Sequence, residues 1–185
     1  MRSTCDYLNT QKATVFVCLG NFQPKLEANI LNKKILYFDM DNVLVDFPSA
    51  ITKIENKTLK SFEGRIDEIP GIFAFMDPLE GALDAYHILS KRFDTYILST
   101  APWENSSAWS DKLTWVKKHL GNTAYKRLIL SHNKHLNIGD YLIDDRIANG
   151  AGQFTGEHIH FGSRKFPNWE SVLNYLLPVD LDLLR

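Results

Sequence analysis

The sequence predicts an α/β fold, a parallel sheet of about five strands with helices on both faces. Three observations predict it. Short apolar runs recur from Lys33 onward, helical periodicity fills the gaps between them, and polar or acidic residues close the runs. Parallel strands covered on both faces read as continuous apolar segments, and crossovers between them are normally helices. Ligand chemistry in such a sheet gathers at the carboxyl ends of the strands.

Ile35-Leu36-Tyr37-Phe38 is the first predicted strand. The segment from Pro48 to Met76 then breaks the rhythm, with one helix around 49–59 and a Gly/Pro-punctuated stretch from Gly64 to Gly71. It reads as a small helical cap insertion over the active-site end, at about 48–78. Ala82, Leu83, Tyr86 and Leu89 have helical spacing after Gly81, and Tyr96-Ile97-Leu98 is the next strand. Leu113, Val116 and Leu120 mark a second helical stripe, which Gly121 is placed to end. Leu128–Leu130 and Tyr141–Ile143 are further strands, and His158–Phe161 supplies a fifth. Trp169, Val172, Leu173, Leu176 and Leu177 form the last helix, stopped by Pro178. Residues 1–30 carry no motif and are set apart as an N-terminal extension of unknown role, leaving 31–185 as the working domain.

The 185 residues are 44% hydrophobic and 23% charged, which predicts a globular core and excludes a disordered chain. A net charge of −1 leaves no basic excess for a nucleic-acid polymer or a membrane surface. Val15–Leu19 is apolar but too short to span a bilayer. Cys5 and Cys18 do not make a disulfide framework, so a reducing cytoplasm is expected.

Four polar groups follow apolar runs. Asp39 and Asp41 lie just after the first, where two carboxylates can divide attack from proton transfer. Ser99 and Thr100 close the second, and either hydroxyl could bond a phosphoryl oxygen or simply satisfy its own turn. Lys134 follows the third and could neutralise phosphate charge, although a lone lysine is usually a surface group. Asp144 and Asp145 close the fourth. With Asp39 they form a carboxylate cluster that suits Mg²⁺ better than Zn²⁺, since no His/Cys set accompanies it. His132, His135, His158 and His160 are read as core or surface residues.

Taken together, Asp-x-Asp, Ser/Thr, Lys and Asp-Asp, each after a strand, resemble the signature motifs of the haloacid dehalogenase (HAD) superfamily. Asp39 through Phe47, Ile97–Pro102, Thr114 through Gly121 and Gly139 through Arg146 resemble segments of the 5′(3′)-deoxyribonucleotidase family, in the family order. The resemblance covers about Lys33 to Leu177 and implies a HAD-like Rossmannoid three-layer fold. It implies a Mg²⁺-dependent phosphomonoester hydrolase acting on nucleoside 5′-monophosphates through an aspartyl-phosphate. Asp39 is then nucleophile and metal ligand, and Asp41 the general acid/base, offering its carbonyl to the metal. Ser99 and Lys134 contact the phosphoryl group, and Asp144 and Asp145 hold the metal, with Asp145 the favoured direct ligand. Phe47, Phe73, Phe75, Thr100 and Trp103 are expected around the substrate, with Arg65 and Asn105 as added polar contacts. Asn42 stands where many members have Gly, so a different backbone is expected beside the nucleophile. The stretch from Asp39 to Ser99 is shorter than in mammalian members, so a reduced cap is expected. The competing readings are a HAD phosphatase of another small phosphomonoester and a non-catalytic HAD-like binding module. The partner is a small molecule, and a homodimer is left open.

Overall fold

The computed structural model describes residues 33–178. The extension at 1–30, with Cys5 and Cys18, lies outside the described residues. Five strands form one parallel sheet: β1 (Ile35–Phe38), β4 (Asp94–Ser99), β5 (Leu128–Leu130), β6 (Tyr141–Asp144) and β7 (Glu157–His160). Their order across the sheet is β5-β4-β1-β6-β7, so β1 is central and the order reverses beside it. Asp39 leaves β1 there, and its N–H donates to the carbonyl of Ile143 at 2.8 Å. The ladder therefore fixes the first acid one residue past the strand.

Alternation along each strand sorts the apolar side chains onto two faces. Leu36, Phe38, Ile97, Ile143 and Ile159 point into the main core. That core also takes Tyr86 and Leu89 of α3 (Ala82–Ser90), Trp115 and Val116 of α4 (Ser107–His119), and Trp169 and Val172 of α5 (Trp169–Leu176). Tyr37, Leu98 and Leu142 face the other way and meet Ala151 and Phe154. Among the described residues this second layer is made of loop and a short 3₁₀ turn at Ala151–Gln153, with no α-helix.

The insertion is rooted by two short strands, β2 (Val45–Asp46) and β3 (Asp77–Pro78), paired antiparallel. Between them the single helix expected at 49–59 is split into α1 (Phe47–Ile51) and α2 (Asn56–Ser61). The break falls at β-branched Ile51, Thr52 and Ile54, which are poor helix formers. Lys53 instead reaches back to the Phe75 carbonyl and the Asp77 carboxylate. Ile69, Ile72, Phe73 and Met76 are buried in the main core, so the insertion shares the hydrophobic interior of the sheet domain.

The α4 stripe differs from the predicted one. Leu113 is 42% exposed, and the buried face of α4 is Ala108, Lys112, Trp115 and Val116. That is i, i+4, i+7, i+8 spacing with a lysine inside it.

Candidate active site

The turn after β1 is built to present two carboxylates. The N–H groups of Val43, Leu44 and Val45 all point back at the Met40 carbonyl, at 3.3, 2.9 and 3.0 Å. Asn42 has φ 56°, in the left-handed region where Asn is among the best-tolerated residues with a side chain. Asn42 thus holds a left-handed conformation that Gly also adopts readily.

Asp39, Asp144 and Asp145 each bring a carboxylate oxygen to a common point, all within 4.8 Å of one another. Asp39 and Asp144 are buried, with 1% exposure each. Lys134 is buried with them, its ammonium 2.9 Å from Asp39 Oδ1 and 2.5 Å from Asp144 Oδ2. Burial pulls the Lys134 ammonium down, but Asp39 and Asp144 outweigh it and leave the group above its ordinary value. Burial and the neighbouring Asp39 push Asp144 up to about 6. Lys134, just after β5, is thus held inside the cluster.

The donor set fits a hard divalent cation. All the candidate ligand atoms are carboxylate oxygens, the kind Mg²⁺ prefers. Asp144 has its oxygens engaged, Oδ2 by Lys134 and Oδ1 by the N–H of Arg146 at 2.9 Å. Asp145 Oδ1 and Asp39 Oδ1 are buried without a hydrogen-bond donor. Arg146 Nε stands 3.7 Å from the first, and the Lys134 contact to the second is an ion pair outside hydrogen-bond geometry. Buried carboxylate oxygens without a hydrogen-bond donor are costly, and a cation would offset that cost. His158 and His160 stay out of the cluster: their Nε2 atoms meet the backbone carbonyls of Asp144 and Asp145 at 3.3 and 2.9 Å.

Asp41 has a different partner. Lys112, buried on α4, donates to both its oxygens at 2.8 and 2.7 Å and to Ser99 Oγ at 3.1 Å. Its ammonium also lies 4.7 Å from the Phe73 ring centroid. Burial raises Asp41; Lys112 pulls it back and Asp39 adds to the rise, and the net direction is up. Ser99 is fully buried in this cluster, whereas Thr100 donates its hydroxyl to the Ser131 carbonyl at 2.8 Å. Sequence reasoning missed Lys112, because it lies mid-helix and not at a strand end. Its signal was there: a lysine at a core-facing position of an amphipathic helix needs a buried counter-charge.

A cavity of about 520 Å³ opens beside Asp41 and Asn42. Phe47, Phe73, Thr100 and Trp103 line it. Phe47 and Phe73 stand 5.5 Å apart between ring centroids, and Trp103 is 79% exposed with its edge against His132. Phe75 is not on this wall; it is 47% exposed, and its carbonyl caps Lys53. Arg65 pairs with Glu68, and Asn105 is buried on backbone carbonyls, so neither lines the cavity. Asp67, in a 3₁₀ turn of the insertion, and His132, Arg146 and Asn149, in loops beyond the strand ends, do line it. A second cavity of about 800 Å³ borders Asp145 on the other side, but Glu80 and Glu170 in its lining disfavour an anionic substrate.

The chain matches the family described as 5′ nucleotidase, deoxy (pyrimidine), cytosolic type C protein (NT5C), over residues 65–172. A relative from Vibrio phage KVP40, assigned as a 5′(3′)-deoxyribonucleotidase, is 60% identical over 145 residues, 78% of this chain and 85% of that one. One of the same assignment from Bordetella bronchiseptica is 32% identical over 176 residues, 75% of this chain and 95% of the relative. The human cytosolic 5′(3′)-deoxyribonucleotidase is 32% identical over 108 residues, 57% of this chain and 48% of its own. Among solved structures, the HAD-hydrolase YfnB from Bacillus subtilis, determined with magnesium bound, superposes with a TM-score of 0.53 at 14% identity. The superposition covers 78% of this chain and 98% of that one, and it is a likeness of fold.

Proposed function

The chain belongs to the 5′(3′)-deoxyribonucleotidase family, and from that membership we propose that it hydrolyses nucleoside 5′-monophosphates, deoxyribonucleotides among them, with Asp39 as covalent nucleophile. The observation that carries the reading is one of adjacency. Asn42, which donates to Asp145 Oδ2 of the carboxylate cluster at 3.2 Å, and Asp41, two residues after Asp39, both line a cavity that Phe47, Phe73 and Trp103 also line. Aromatic faces suit a nucleobase, and the acid suits the phosphoester.

Asp39 attacks phosphorus and becomes the aspartyl-phosphate. Asp41, raised by burial and lining the cavity, protonates the leaving oxygen of the nucleoside and then takes a proton from the attacking water. Lys112, whose three N–H groups are taken by Asp41 and Ser99, holds both in place, and the Ser99 hydroxyl supplies a donor for a phosphoryl oxygen. Lys134 holds Asp39 and Asp144 in place and offsets their charge. Asp39, Asp145 and the Asp41 carbonyl would hold Mg²⁺, with Asp144 behind them. When bound, Mg²⁺ offsets the repulsion between the phosphate dianion and the Asp39 carboxylate. Phe47 and Phe73 take the base, with Trp103 at the open rim.

The substrate is a small phosphomonoester, and a cytoplasmic location suits it; no described helix is long and apolar enough to cross a membrane. The test is phosphate release, with and without Mg²⁺, across deoxy- and ribonucleoside 5′-monophosphates, sugar phosphates and p-nitrophenyl phosphate. The highest kcat/KM is expected on a nucleoside monophosphate. A sugar phosphate hydrolysed better than every nucleotide would overturn the substrate assignment and leave the phosphatase chemistry standing.

A further inference from the structure

We propose that Asn105 is a positioning residue for the substrate cavity: it clamps the insertion to the start of α4 and makes the cavity wall a fixed part of the catalytic domain. The inference rests on the nucleotide reading for the identity of what the cavity holds. Asn105 lies in the loop between β4 and α4, is 2% exposed, and touches neither the carboxylate cluster nor the cavity.

Its side chain uses its full hydrogen-bonding capacity. The amide nitrogen donates to the carbonyls of Asp67 at 2.8 Å and Ile69 at 2.9 Å, which lie 38 and 36 residues away in the chain. The amide oxygen accepts from Ser107 N at 3.2 Å, and it shares the single Ser107 hydroxyl proton, at 2.8 Å, with Asp111 Oδ2 at 2.9 Å. Ser107 Oγ in turn accepts from the N–H of Gly71 at 2.8 Å. Three residues of the insertion, 67, 69 and 71, are thus bound through one Asn-Ser pair.

The bound segment and its surroundings do the recognition. Ile66, Asp67 and Phe73 of the insertion line the cavity. On the other side of the clamp, Ser107 opens α4, and Lys112 on that helix holds Asp41 and packs against Phe73. Trp115 of α4 adds a second tie, its indole N–H donating to the Met76 carbonyl at 2.8 Å. The cavity wall and the partner of the proton-transfer acid are therefore registered to one helix. An Asn is required chemically: Asp would set a carboxylate against two carbonyl oxygens, and Ser could donate to only one of them. An insertion tied in this way does not swing open, so the nucleotide reaches the cavity through its open rim by Trp103.

The test compares wild type, Asn105→Asp and Ser107→Ala on a deoxynucleoside 5′-monophosphate and on p-nitrophenyl phosphate, with hydrogen exchange of 62–76 alongside. Losing both amide donors in Asn105→Asp is expected to raise the nucleotide KM about tenfold while kcat on p-nitrophenyl phosphate stays within about twofold. Exchange in 66–74 should rise while the β1 and β4 amides stay protected. Ser107→Ala, which leaves both Asn105 donor bonds in place, should shift in the same direction by less and keeps the question open to measurement if Asn105→Asp folds poorly. Equal losses on both substrates, an unchanged nucleotide KM, or unchanged exchange of 66–74 would overturn the clamp. A wild-type enzyme that does not favour the nucleotide would overturn the substrate reading instead, and the exchange measurement would still decide the clamp.

Discussion

Removing the Lys112 ammonium leaves the buried Asp41 carboxylate without its cation. Asp41 is already raised by burial, and Lys112 is the main group pulling it back. In Lys112→Met the acid stays protonated to higher pH, so the step in which Asp41 must accept a proton moves to more alkaline pH. We expect kcat to fall about 100-fold, the scale of losing one positioned donor, with the acidic limb of the kcat–pH profile displaced upward. A profile of unchanged shape would remove Lys112 from the proton-transfer machinery. Phe47 is tested by its substrate dependence. Phe47→Ala should raise KM for a nucleotide severalfold and leave p-nitrophenyl phosphate nearly untouched, since only the nucleotide offers a base to stack. Equal losses on both, with a lower Tm, would mark the ring as core. At this scale the sequence revealed the residues that end strands and hid those that do not. Asp39, Asp41, Ser99, Lys134, Asp144 and Asp145 follow apolar runs and were legible. Lys112 sits inside a helix whose phase had been set on Leu113, one residue away. Phe75 and Phe73 are two apart in one aromatic stretch, and only the 3₁₀ turn at Ile72–Ala74 decides which of them is buried.

The strands were readable because they are short apolar runs in a buried parallel sheet, and their positions in the structure agree to within two residues. The insertion was harder. Its two short helices have too few residues for a periodic signal, and the β2–β3 pair is only two residues long on each side. These elements are held by specific tertiary bonds, such as Ser49 Oγ accepting from Asp77 N at 2.8 Å, which no local pattern announces. The ends of β1 and β6 also carry a pH prediction. Asp144 titrates near 6 in the folded protein, above its unfolded value near 4. A raised carboxyl contributes stability that is full below the unfolded value and is lost as pH rises through the folded one. Metal-free protein should therefore lose stability from this group between about pH 4 and 6. A cation on the cluster favours the ionised form, so the Tm gain on adding Mg²⁺ should be larger at about pH 7.5 than at about pH 5. Equal gains at both would separate Asp144 from the cation site.

Across the whole molecule, the order β5-β4-β1-β6-β7 brings four separate stretches of chain to one end of the sheet. Asp39 and Asp41 come from the centre, Ser99 from β4, Lys134 from the loop after β5, and Asp144 and Asp145 from β6. The chain follows β1 with an insertion of modest size that shares the main core, so the cavity wall and the carboxylate cluster rest on one hydrophobic interior. The single most direct test is the release of inorganic phosphate from a deoxynucleoside 5′-monophosphate, followed in parallel for wild type and Asp39→Asn at saturating Mg²⁺. An amide at 39 is a far weaker nucleophile and a poorer cation ligand than a carboxylate. Wild type should turn over steadily, with activity abolished by EDTA, and Asp39→Asn should lose at least about 1,000-fold with the fold retained. Turnover by Asp39→Asn near the wild-type rate would contradict Asp39 as the nucleophile.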